Sequence, residues 1–354
     1  MERTRTADAY LRLDRVTVAG RARPIVDGIS LALARGQTLA LLGPDGAGKS
    51  ALLLTLAGFL PQSFGAVHLD GREITTALPE RRNIGAVFAE DGLFPHLAVL
   101  DTVAFGLKMR GQSRADRRAR AREVLAALGL AALGEKHPGR LDASERRLVA
   151  LARAVACAPA LLLIDEPAAA APPAEAVRRA LRPALAIAQT TAIFATHDRA
   201  TAFGHADLVA LLRDGRLEQL GSPMELFEHP ATRFAAGFTG TCNLLPATLL
   251  ETAGAHARVG LSGGMALATA GQNLAAGPVL VCLRPHRLVL DPAGPLRGTV
   301  TRIDYQGALT RVTLHLPEGE LVADLAQVPP GLAPGTTLSL GWAAEHAWLV
   351  PVAP

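Results

Sequence analysis

Gly43-Pro-Asp-Gly-Ala-Gly-Lys-Ser50 sets three glycines, a cation and a hydroxyl within one short segment. The pattern G-x-x-x-x-G-K-[ST] between an apolar strand and a helix is a phosphate cradle. Gly43, Gly46 and Gly48 let backbone N–H groups curl around phosphate oxygens, and the following helix start favours the negative charge. Lys49 is expected to reach the β- and γ-phosphates of a nucleoside triphosphate, and Ser50 to ligate Mg²⁺. Pro44, Asp45, Ala47 and Ala51 complete the expected nucleotide-binding stretch. The competing reading is a glycine-rich turn with an incidental lysine, and the strand-to-helix context argues against it. A second cluster is Leu161-Leu-Leu-Ile-Asp165-Glu166. A strand ending in two carboxylates suits Asp165 to the metal shell and Glu166 to polarising a water. Acidic strand ends are common, so this reading leans on the phosphate loop in the same chain. His197 ends a third apolar run and is placed to donate a hydrogen bond to a γ-phosphate; a lone histidine at a strand end is more often structural.

The elements that must hold these groups are legible from periodicity. Tyr10 to Val18 alternates apolar and polar residues, as a half-buried strand does. Ile29 to Leu33 reads as a second strand, and Thr38 to Leu42, apolar on both faces, as a central parallel one. A helix is expected from Lys49 to Leu60, and an arginine-rich amphipathic helix from Arg114 to Leu128 capped by Ser113. Leu161 to Ile164 and Thr191 to Ala195 read as buried strands. Strands alternating with helices argue for an α/β parallel sheet. After about Phe238 the pattern changes to short strand-like runs between Gly and Pro: Val279 to Leu283, Gly298 to Tyr305, Thr310 to Leu316 and Leu338 to Trp342. Such spacing suggests a small β-barrel or sandwich.

The chain's 354 residues suggest two or three domains, and 49% hydrophobic content with 19% charged allows real cores. A net charge of +4 is carried mostly by arginine, since Lys49, Lys108 and Lys136 are the only lysines. No aromatic-basic patch accompanies that charge, so nucleic acid is not an expected partner. Cys157, Cys242 and Cys282 lie far apart without metal-ligand spacing, which fits buried thiols in a reducing compartment. The opening residues MERTRTADAYLRL carry no apolar h-region, so no export signal is expected. No run of eighteen apolar residues escapes a charge or a break, so any service to a membrane is expected to go through a partner.

With these residues in place, the chain resembles the ATP-binding subunits of ABC transporters, within the importer group that carries a C-terminal TOBE domain and serves sugars, polyamines, ferric iron or phosphonates. Arg82-Asn-Ile-Gly-Ala-Val-Phe88, Leu93-Phe-Pro-His96 and Val103-Ala-Phe-Gly-Leu107 resemble the segment at that group's transmembrane-subunit contact. Asp214 to Gly221 and His229 to Phe234 resemble the end of its ATPase domain; Leu283-Arg-Pro-His286 and Gly298 to Thr301 resemble TOBE. The resemblance implies an α/β P-loop ATPase domain over 8–240 with a helical subdomain near 90–155, followed by a small all-β, OB-like TOBE domain over 241–354. It implies ATP and Mg²⁺ as cofactors, Glu166 and His197 as catalytic groups, and Ser50 and Asp165 at the metal. It also implies permease subunits and an extracytoplasmic solute-binding protein as partners, and a peripheral position on the cytoplasmic face of the cell membrane. The ATPase subunits would pair, as a homodimer or a mixed dimer, with each nucleotide between one P-loop and the other subunit's signature helix.

Four positions depart from that family pattern. Ala89 stands where the family has a glutamine linking metal and water to the transport contact, and Ala19 where an aromatic ring stacks on adenine. Ala169-Ala-Ala-Pro172 replaces Ser-Ala-Leu-Asp. Leu141-Asp-Ala-Ser-Glu145 replaces the signature Leu-Ser-Gly-Gly-Gln, and Asp142 with Glu145 spells a capping box whose carboxylates fold back on the amides that would grip a partner's γ-phosphate. The expected function is an ATP-binding subunit coupling ATP binding and hydrolysis to solute uptake. The competing readings are a hydrolysis-poor structural or regulatory subunit working with an intact partner, and a soluble ABC protein outside transport.

Overall fold

A computed structural model describes residues 9–88, 91–165, 174–188, 190–253, 256–261, 266–270, 274–317 and 319–352. The chain divides into two compact units, Met1–Pro223 and Met224–Pro354, a division ahead of the junction at 240 read from the sequence.

In the first unit, the described residues form two sheets. The strands Val26–Leu33, Leu11–Val18, Phe64–Leu69 and Arg72–Glu73 make an antiparallel sheet in that order. The alternation expected from Tyr10 to Val18 is interrupted near Asp14 and Arg15, where the register slips and Arg15 takes φ 47°. The second sheet runs Arg216–Gly221, Leu208–Arg213, Thr38–Leu42, Thr191–Thr196, Leu161–Asp165, Ile84–Val87, and only its first pair is antiparallel. Its three central strands are buried at every residue, which explains why their sequences carry apolar side chains without alternation.

The helix expected over Lys49–Leu60 stops at Ala57. Gly58 ends it at φ +88°, and a Cβ there would meet Arg82 Nε at 2.8 Å. Arg82 is buried, and its guanidinium donates to the carbonyls of Thr55 and Leu56 at 2.9 and 2.8 Å, taking up acceptors that the helix end leaves open. Burial draws its pKa down from the usual arginine range. Three helices, Val99–Met109, Arg114–Ala127 and Ala143–Ala156, pack on one another between strands Ile84–Val87 and Leu161–Asp165. Ser113 caps the second of them, accepting from Asp116 N at 3.2 Å. Arg118 of that helix grips Asp101 of the first with two hydrogen bonds of 3.0 Å.

In the second unit, short helices Pro223–Glu228 and Arg233–Thr239 precede two antiparallel sheets, each five-stranded among the described residues. Inward-facing residues of both sheets, Val281, Leu283, Val312 and Leu340 among them, share one apolar core. Buried Arg284 ties the helices to the sheets through the carbonyls of Phe227, Ala236 and Gly240 at 2.9, 3.0 and 3.0 Å.

Candidate nucleotide-binding site

The strand Thr38–Leu42 delivers the chain to Gly43, and the helix Lys49–Ala57 begins six residues later. Gly48 occupies the N-cap at φ +92°, where a Cβ would meet the Ile25 carbonyl oxygen at 2.5 Å. No side chain caps this helix and its first turn holds no acidic residue. Its leading N–H groups and the positive end of its dipole therefore face an anion rather than a carboxylate of the chain itself. Lys49 is 6% exposed, and its Nζ donates to the carbonyl oxygens of Gly43 and Pro44, both at 2.8 Å. The loop thus holds its cation at the centre of the cradle, where a phosphate would find it already oriented.

Parallel pairing of Leu161–Asp165 and Thr191–Thr196 in the same sheet brings two further groups beside the loop. Ser50 Oγ donates to Asp165 Oδ1 at 3.0 Å, and Asp165 is buried. His197 follows the last residue of its strand, is exposed, and lines a cleft of about 450 Å³ with Ile25 and the stretch Asp45 to Ala51. The residues singled out in Gly46 to Ser50, with Asp45, Ala51 and His197, therefore border one space, and Asp165 joins it through Ser50. Glu166, Ala89 and the stretch Ala169 to Pro172 lie outside the described residues.

Residues 26–169 match the ABC transporter family and residues 281–350 the TOBE domain. The spermidine/putrescine import ATP-binding protein PotA of Thermobifida fusca is 33% identical across 92% of this chain and 88% of its own length. The sulfate/thiosulfate import ATP-binding protein CysA of Caulobacter vibrioides is 37% identical across 84% and 86% respectively. The Fe(3+) ions import ATP-binding protein FbpC 1 of Rhizobium meliloti is 32% identical across 90% and 91%. The chain belongs to the ABC transporter ATP-binding proteins. Among solved structures, the dimeric ATP-binding cassette MJ0796, bound to ADP and Pi in a post-hydrolysis state, superposes with a TM-score of 0.54 at 26% identity. It covers 60% of this chain and 98% of its own.

The segment Leu141 to Glu145, which the sequence resemblance sets at the signature position, closes on itself. Asp142 Oδ1 accepts from Glu145 N at 2.8 Å, and Glu145 Oε2 accepts from Asp142 N at 2.9 Å, so the capping box read from the sequence is formed. Lys136 Nζ stands 3.7 Å from Glu145 Oε1. Ser144 Oγ is buried without a hydrogen-bond partner among the described residues.

Arg147, one turn further along the same helix, was not visible as a site residue in the sequence. Its guanidinium donates to the carbonyls of Phe88 and Asp165, joining the ends of two neighbouring strands. Asp91 stands 4.0 Å from it, and Arg153 donates to the Asp91 carbonyl at 3.1 Å. In the sequence its only signal is a helix carrying Arg146, Arg147 and Arg153, side chains that suit solvent equally.

Ala19 is exposed and presents no ring. Beside it, residues Gly20 to Ile25 with Gly46 and Asp214 line a second cleft of about 250 Å³, which shares Ile25 and Gly46 with the P-loop cleft. Tyr10 is committed elsewhere: its hydroxyl donates to the Ala160 carbonyl at 3.1 Å and Arg35 lies 4.2 Å over its ring.

Proposed function

We infer that this chain is the ATP-binding subunit of an ABC importer and that the cleft between P-loop, Asp165 and His197 holds ATP. The observation that carries the reading is the single space bordered by Gly46 to Ser50 and His197, with Ser50 hydrogen-bonded to Asp165. The open helix start and buried Lys49 supply an anion site for a triphosphate. Ser50 and Asp165 offer neighbouring hard oxygen donors, the chemistry that Mg²⁺ prefers. A bound Mg²⁺ neutralises charge developing on the phosphates. Glu166, next after Asp165, is assigned to polarising the attacking water, and His197 to a hydrogen bond with the γ-phosphate.

The relatives' names include polyamine, sulfate and ferric iron import. On that basis the subunit works with permease subunits and a solute-binding protein, peripherally at the cytoplasmic face of the membrane. Among the described residues no helix is long and apolar enough to cross a membrane, in keeping with attachment through those partners. Two ATPase subunits pair around two nucleotides, as a homodimer or with a relative. The capping box at Asp142 favours the mixed pair, because it leaves a facing γ-phosphate opposite carboxylates. At 4 Å and an effective dielectric near 20, one such like-charge pair costs about 4 kcal/mol before screening.

Steady-state phosphate release by the purified subunit with its membrane partners tests the assignment. ATP-dependent turnover that disappears in Glu166→Gln supports it. Turnover equal in wild type and Glu166→Gln removes Glu166 from the role, and failure to copurify with any membrane subunit removes the chain from transport.

A further inference from the structure

Two of the three cysteines, distant in sequence, meet in the second unit. Asn243 pairs with Leu283 and Leu244 with Cys282 across adjacent antiparallel strands. Cys242 immediately precedes the strand's first residue, Asn243, and packs with Leu244 in the same small cluster as Cys282. Both thiols, with Leu244, Leu280 and Trp348, pack in a small apolar cluster against Ala236 of the helix Arg233–Thr239, on the sheet face away from the main core. Cys282 is 2% exposed while Cys242 is half-buried, so Cys242 is the more accessible of the two. Among the described residues no group of three or more His, Cys, Asp or Glu gathers to hold a metal, and two sulfurs alone fall short of a tetrahedral site.

We propose that Cys242 and Cys282 form a reversible disulfide, a redox modification site at the joint between the helices and the sheets of the second unit. The chemistry divides unequally between the two sulfurs. The hydrogen bond from Cys282 draws the Cys242 thiol down to about 7, against its partial burial, with Arg284 helping. The same bond, then burial, pushes Cys282 up. Cys242 is therefore the attacking thiolate and Cys282 the resolving thiol. With a peroxide as oxidant, the Cys242 thiolate takes one oxygen, giving a sulfenic acid and hydroxide. Cys282 then attacks that sulfur, forming the S–S bond; its proton and the departing hydroxyl leave as water. In total, two thiols and one hydrogen peroxide give one disulfide and two waters. The bond would fasten residue 242, at the end of the segment whose Gly240 and Thr241 carbonyls Arg284 already holds, to the strand Gly277–Leu283.

The test uses the full chain, reduced and then treated with hydrogen peroxide, followed by peptide mapping. A linked Cys242–Cys282 peptide that dithiothreitol releases, with Cys157 still open to alkylation, is the expected result. In Cys282→Ser the oxidation should stall at Cys242 as a sulfenic acid that dimedone traps. Before oxidation, iodoacetamide at pH 7 should modify Cys242 about tenfold faster than Cys157, whose thiol burial pushes up. Independent oxidation of the thiols without a linked peptide overturns the proposal, and so does alkylation of Cys242 no faster than that of Cys157. The linked-peptide and alkylation readouts use the unmodified chain and depend neither on ATP turnover nor on the folding of a variant.

Discussion

Two helices of the first unit begin in opposite ways. The helix Lys49–Ala57 starts from Gly48 with no side-chain cap and no acid in its first turn. The helix Ala143–Ala156 starts from Asp142, is closed by a reciprocal capping box, and carries Glu145 in its first turn. The physics at both starts is the same: unpaired N–H groups and the positive end of a dipole seek an anion. At the P-loop the anion must come from outside, and Lys49 is buried in readiness for it. At Asp142 the chain supplies its own two carboxylates. The contrast separates a helix start left open to an anion from one closed by the chain's own carboxylates.

The largest effect is expected where the open start loses its cation. Lys49→Ala should weaken ATP binding by about a hundredfold or more, since a buried charge-assisted contact to phosphate is removed. Nucleotide titration by calorimetry measures it, and equal affinity in wild type and variant would remove the P-loop from the site.

Opening the closed start should act on turnover rather than on binding. Asp142→Ser with Ala143→Gly, Ser144→Gly and Glu145→Gln is expected to raise homodimer phosphate release by about tenfold, the effect of about 1.4 kcal/mol of screened repulsion relieved. Adding an intact ATPase relative to the unmodified chain should stimulate release as well, because this chain's Lys49 and His197 would then face an ordinary signature helix. Brisk hydrolysis by the unmodified homodimer, with no gain in the fourfold variant, would show that Asp142 is harmless where it sits.

The closed start also contributes to stability. Asp142→Ala removes the acceptor for Glu145 N and breaks the box, so unfolding should be easier by about 1 kcal/mol. Thermal denaturation with and without ATP checks this; an unchanged midpoint would mean that the cap is dispensable and the two helix starts differ less than their geometry says.

Much of this was readable in the residues. Full apolar runs such as Thr38–Leu42 and Leu161–Ile164 announce central parallel strands because both faces are covered, and the capping box is a local pattern that forms wherever its spacing occurs. The P-loop is legible for the same reason, since glycine, lysine and serine are fixed by backbone geometry and phosphate chemistry. What escaped notice depends on distant contacts. Arg147 reaches Phe88 and Asp165 only after two strands and a helix have been assembled. Arg82 reads as a solvent residue until the end of the helix Lys49–Ala57 is laid over it. The meeting of Cys242 with Cys282 requires the strand register, which nothing in their spacing discloses.

The smallest expected effect lies at the base end of the same open site. The P-loop gives the triphosphate its cradle, yet beside it Ala19 offers no ring and Tyr10 is held by Ala160 and Arg35. The cleft of Gly20 to Ile25, Gly46 and Asp214 adjoins the phosphate space through Ile25 and Gly46, so a base leaving the P-loop in that direction would lie along residues 20–25. An aromatic ring at position 19 would stand at the edge of that cleft, free of the strand's buried side because Ala19 is exposed. Ala19→Tyr should therefore tighten ATP binding by about fivefold, from roughly 1 kcal/mol of stacking. Inorganic tripolyphosphate separates the two ends of the ligand. Its affinity should be equal in both proteins, since the variant leaves the P-loop untouched, while ATP alone gains. A gain for both ligands would place the effect in the loop rather than at the base. No gain for either would mean that the side chains of residues 20–25 already cover the base, and that this site binds adenine without an aromatic platform.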